Sequence, residues 1–96
     1  MAERRKTERR GSGPRIKATQ HDIVNAARKF HWKGPMPNWT TVVEGRELPA
    51  RPLLLKAAKV AENHPTNSEE AAVILSDLGF EVRFKGVIIP WEDVPA

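Results

Sequence analysis

Apolar positions along the chain change their period several times, and each change marks an element. Thr19, followed three residues later by Asp22, reads as a capping box with aspartate in place of the usual glutamate, and it opens a helix near Gln20. Ile23, Ala27 and Phe30 recur at helical spacing and face inward, with Asn25, Arg28 and Lys29 outside. This helix is expected to stop near Trp32, before Gly34-Pro35-Met36-Pro37. Trp39-Thr40-Thr41-Val42-Val43 is aromatic and β-branched, Glu44-Gly45 makes a two-residue turn, and Arg46-Glu47-Leu48 returns antiparallel.

Pro52 suits the first turn of the next helix, where its missing N–H would have no partner. Leu53, Leu54, Leu55, Ala57, Ala58, Val60 and Ala61 spread apolar surface over more than half its circumference. Lys56 and Lys59 leave only a narrow wet stripe, so this helix is expected to be the most buried and to touch two neighbours. Asn63-His64-Pro65-Thr66-Asn67 breaks the chain, and either Thr66 with Glu69 or Asn67 with Glu70 caps a third helix. Its Ala71, Ile74, Leu75 and Leu78 face inward, Glu69, Glu70 and Asp77 face water, and Gly79 supplies a left-handed stop. Phe80, Val82 and Phe84 then alternate with charged residues as a half-buried strand, which Lys85-Gly86 turns into Val87-Ile88-Ile89. The order α-β-β-α-α-β-β is an α+β class: a small antiparallel sheet of two hairpins packed against three helices, over residues 18–90.

Charge changes this picture at the ends of the chain. The net charge is +4, yet residues 1–17 alone hold Arg4, Arg5, Lys6, Arg9, Arg10, Arg15 and Lys17 against Glu3 and Glu8. Everything after Lys17 carries nine basic and ten acidic side chains. The first 17 residues therefore read as a disordered basic arm that gains by lying along phosphates, where each neutralised charge releases counterions, or as a solubilising leader with no ligand. Residues 91–96 form an acidic tail whose Trp91 either docks back on the domain or captures a protein partner.

Composition removes several chemistries. The chain has no cysteine, which excludes disulfides and thiolate zinc sites and suits a reducing, cytoplasmic compartment. No apolar run approaches the ~20 residues of a membrane span, so no membrane partner is expected, and no apolar segment follows the Arg4-Arg5 and Arg9-Arg10 pairs as a leader would require. His21, His31 and His64 have no shared helical face, no glycine-rich phosphate loop opens a helix, and Glu69 and Glu70 sit ~100° apart on theirs. The expectation is no metal, no cofactor and no enzymatic activity. For binding, the structured basic residues are Arg46 near the hairpin turn, Arg51 at a helix start, Lys56 and Lys59 on one stripe, and Arg83 with Lys85 on the last hairpin. Trp32 and Trp39 bracket the Gly-Pro-Met-Pro loop and can offer a stacking platform for a base, with Trp39 the more core-like of the two.

Val42-Val43-Glu44-Gly45-Arg46-Glu47-Leu48-Pro49-Ala50-Arg51, leading through Leu53-Leu54 and Ala57-Ala58 to Asn67-Ser68 and closing on Ile74-Leu75 with Leu78-Gly79-Phe80-Glu81-Val82, forms a pattern. Over residues 39–86 it resembles the N-terminal head domain of McrA-like, modification-dependent restriction endonucleases. That resemblance implies a small accessory module from a DNA-processing context, without the family's catalytic part. The expected function is a non-catalytic nucleic-acid-binding module, with DNA the expected ligand. In it Arg4, Arg5, Lys6, Arg9, Arg10, Arg15 and Lys17 supply affinity, while Arg46, Arg51, Lys56 and Lys59 set orientation. The alternative is a protein-interaction adaptor using the tail or a sheet edge, or a small regulator of a larger enzyme.

Overall fold

Helices of nine or ten residues are marginal in water by themselves, so each must be held by its caps and by burial of a face. The computed structural model describes residues 16–90. They form α1 (Gln20–Arg28), β1 (Trp39–Val43), β2 (Arg46–Pro49), α2 (Ala50–Ala58), α3 (Ser68–Asp77), β3 (Glu81–Phe84) and β4 (Val87–Ile89). The expected α+β class and element order are those observed. The six basic residues from Arg4 to Arg15, and the tail with Trp91, lie outside the described residues.

All four strands join one antiparallel sheet in the order β2-β1-β3-β4. Both hairpin turns place two consecutive residues at positive φ, Glu44 at 52° with Gly45 at 83° and Lys85 at 53° with Gly86 at 83°, the conformation whose twist matches antiparallel strands. The register sets Thr41 opposite Leu48 and Val82, and Val82 opposite Ile89. Since the pleat alternates faces, these residues share the face that meets the helices, and Val43, Leu48 and Val82 are buried in the core. The opposite face carries Thr40, Glu47, Glu81 and Arg83. There the Thr40 hydroxyl donates to Glu47 at 2.6 Å, and the Arg83 guanidinium reaches Glu81 at 2.8 Å and Glu47 at 3.5 Å. Trp39 packs on Phe84 with ring centroids 4.8 Å apart, which makes it a sheet-packing residue.

Helix α2 contacts α1, α3, β1 and β2. Leu53, Leu54, Leu55 and Ala57 are buried, as its nearly all-round apolar pattern requires. The capping box expected at Thr19 with Asp22 forms on α1, and of the two candidates for α3 it is Asn67 with Glu70 that forms, not Thr66 with Glu69. Gln20 then donates from its side-chain amide to the Leu78 carbonyl at the end of α3, joining the first and last helices. Gly79, at φ 101°, ends α3 as expected.

Four details differ from the expectation. The folded part begins earlier, because Ile16 is buried in the core while Lys17 beside it is exposed. Helix α1 ends at Arg28, four residues before Trp32: the Arg46 guanidinium, brought up by the hairpin, donates to the carbonyls of Ala27 at 2.6 Å and Phe30 at 3.0 Å and draws the chain out of the helix. Helix α2 ends at Ala58, with Lys59 in the left-handed conformation (φ 60°) and the Val60 N–H closing back on the Leu55 carbonyl. Helix α3 buries Ala72, Val73 and Ser76 besides Ala71 and Leu75, because it is wedged between α2 and strands β1 and β3; Ile74 and Leu78 are half-buried.

Arg28 grips Glu44 through two hydrogen bonds, Nε to Oε1 at 3.0 Å and Nη2 to Oε2 at 2.8 Å, fastening α1 to the hairpin turn. This contact holds the Glu44 carboxyl below its ordinary value, and the Thr19 backbone N–H does the same for Asp22, aided by the Thr19 hydroxyl and by the charges of His21 and Lys59.

Two predictions follow from this frame. Lys59 is a side-chain-bearing residue where glycine is preferred, so Lys59→Gly is expected to raise stability by about 1 kcal/mol in urea unfolding. Glu44 and Asp22 have depressed folded-state values, so their stabilisation is complete above the unfolded carboxylate range near ~4 and is lost as pH falls through the lower folded values. The urea midpoint is expected to drop on acidification below that range, and Glu44→Gln should flatten part of the drop.

Candidate functional site

Because α1 stops at Arg28, residues 29–32 leave the helix through a turn at Lys29, and a groove opens between this segment and α2. It has a volume of about 730 Å³ and is walled by Lys29, Phe30, His31 and Trp32 on one side. The remaining lining is Arg51, Pro52, Leu55 and Lys56 of α2, with Val60 and Glu62 from the chain that follows it.

Two rings dominate the first wall. Phe30 is buried and Trp32 lies against it almost parallel, centroids 6.2 Å apart and planes 11° from each other. Trp32 nevertheless remains 41% exposed, and its indole N–H donates to the Pro35 carbonyl at 3.2 Å. Lys29 and Lys56 are exposed on opposite walls, and no acidic group among the described residues forms an ion pair with either. Glu44, Glu47 and Glu81 are engaged elsewhere by Arg28 and Arg83, so the paired acids lie away from the groove.

The structured basic residues singled out by sequence fall into two groups. Arg46 and Arg51 each donate guanidinium N–H groups to backbone carbonyls. Arg46 closes the end of α1, and Arg51 donates to the carbonyls of Thr66 at 2.6 Å and of Glu62 and His64 at 2.8 Å each, holding the loop from α2 to α3. That loop is further set by the Thr66 N–H donating to His64 Nδ1 at 3.2 Å. Lys56 stands open at the groove. Lys59 sits at the C-cap near Asp22, so the two lysines are exposed but serve different surroundings. Lys85 lies over the Phe84 ring at 5.5 Å.

Lys29 and its place opposite Lys56 escape a reading by periodicity, which assigns Lys29 to the outer face of a longer helix; only an α1 ending at Arg28 turns it to the groove. Among the described residues no group of three or more His, Asp or Glu side chains could hold a metal ion, and no helix is long and apolar enough to cross a membrane. Comparison with protein-family models, with curated proteins and with solved structures finds no match to this chain.

Arg51 and Lys56 separate structural from surface charge. Arg51→Ala strands three carbonyls, one of them belonging to buried Thr66, and is expected to cost about 1.5 to 3 kcal/mol. Lys56→Ala, changing an exposed side chain, should stay within about 0.5 kcal/mol of the parent. Urea unfolding monitored by circular dichroism checks both.

Proposed function

We propose that the protein is a non-catalytic nucleic-acid-binding module, with DNA the expected ligand, whose basic arm supplies sequence-independent affinity and whose α1–α2 groove orients the chain on it. The observation that carries this reading is the exposed Trp32 on its Phe30 support, flanked by Lys29 and Lys56, neither of which has an acidic partner among the described residues. Cationic walls around an open aromatic match the two surfaces that a polynucleotide offers, charged phosphates and flat bases. The seven basic residues of 1–17 add to the same tendency. The resemblance of residues 39–86 to the head domain of McrA-like endonucleases points to the same context.

On this reading Arg46 and Arg51 act by shaping the groove, and Lys29 joins Lys56 as a direct contact. Lys59 belongs to the outer electrostatic surface. A second reading, a protein-interaction adaptor, is favoured by β4, a three-residue edge strand whose Val87 and Ile88 are 62% and 55% exposed.

If five to seven phosphates are engaged, log affinity for duplex DNA should fall against log salt with a slope of about −4 to −6. Replacing Arg4, Arg5, Lys6, Arg9 and Arg10 by serine should flatten that slope by roughly four units. Fluorescence anisotropy between ~50 and ~200 mM salt measures it. Equal slopes for the two proteins would remove the arm from the reading. Undetectable binding at the lowest salt, alongside capture of a protein partner that Ile88→Lys abolishes, would favour the adaptor.

A further inference from the structure

An aromatic ring backed on one side and open on the other can extend its stack by one more flat ring. Trp32 lies nearly parallel to buried Phe30, donates its indole N–H to the Pro35 carbonyl, and keeps 41% of its surface open. The groove lining that includes Trp32 also carries apolar Pro52, Leu55 and Val60, surface suited to the flat face of a base. Lys29 and Lys56, both exposed, line the same groove and offer positive charge to a sugar-phosphate backbone.

Duplex and single strand present different surfaces to such a groove. In a duplex the faces of the bases are covered by their neighbours and only edges and phosphates are reachable. An unpaired strand has free base faces, and stacking on a protein aromatic is available to every base. We infer that the groove takes single-stranded nucleic acid, one unpaired base stacking on Trp32 while flanking phosphates lie against Lys29 and Lys56. The groove therefore selects strandedness, whereas the arm attracts any polyanion. This assignment rests on the nucleic-acid reading above and narrows its ligand class.

The test uses the full chain, a labelled oligothymidylate and a mixed-sequence duplex of equal length, at ~50 and ~150 mM salt. The single strand is expected to bind tighter. Trp32→Ala should weaken it by about 5- to 150-fold, the range that loss of one base–aromatic stack produces, and leave the duplex within about twofold. Trp32→Phe should restore most of the affinity, yet abolish the quenching of indole emission that oligothymidylate causes in the parent protein. This conservative variant decides the matter even if the alanine protein loses its fold. Equal affinity for both forms, with no quenching and no effect of either substitution, would overturn the groove assignment and leave the arm-driven reading standing. Failure of both oligonucleotides to bind at ~50 mM salt would overturn the two together.

Discussion

Three consecutive leucines cannot all be buried on a helix unless something covers it on three sides. Successive residues project ~100° apart, so Leu53, Leu54 and Leu55 of α2 point in widely separated directions, and all three are buried. The rest of the domain is arranged around that demand: α1 and α3 pack on α2, and strands β1 and β2 also meet it. One sector of the helix is left, and by the same rotation it is the one into which Pro52 and Lys56 project. Those two residues, with the edge of Leu55, form the α2 wall of the groove. The groove is thus the sector of α2 that the core leaves uncovered, placed by the same burial that holds the fold.

What could be read from sequence divides by range. Signals confined to a few residues are legible: the capping box at Thr19, a cap for α3 at Thr66 or Asn67, the turns at Glu44-Gly45 and Lys85-Gly86, and the glycine that ends α3. So is the heavy burial of α2, because its pattern has no polar face to give to water. The end of α1 is not, since it is set by Arg46 acting on carbonyls 16 and 19 residues earlier. Arg51 is the same case, its partners lying 11 to 15 residues later. A basic residue in a sequence looks equally free whether its guanidinium will meet a phosphate or a stranded carbonyl. Lys56 was singled out correctly as exposed, but Lys29 could be placed opposite it only once the chain was known to leave the helix at Arg28.

Helix dipoles do not settle the sign of the field in the groove. One wall contains the first turn of α2, with its partial positive charge, and the other begins at the C-terminal end of α1, with its partial negative charge. The two oppose each other, and Arg46 partly neutralises the second by taking up its carbonyls. The groove's net character is therefore left to side chains, with Lys29, Lys56 and the Arg51 charge set against Glu62. Most acids with a defined partner are drawn to the open sheet face and the hairpin turn, which removes their competition from the α1–α2 side.

The stiffness of the aromatic wall depends on a residue that a ligand would not touch. Phe30 supports Trp32 only while its own backbone is fixed, and the Phe30 carbonyl is one of the two that Arg46 holds. Arg46 is in turn carried by β2, paired with β1 at Val43, so the sheet register positions the platform through a single guanidinium. A wall held this way loses little freedom when a ring stacks on it, and the entropy that would otherwise oppose binding has already been lost on folding. Whatever loosens the Arg46 link therefore loosens the platform, although Arg46 itself lies outside the groove lining.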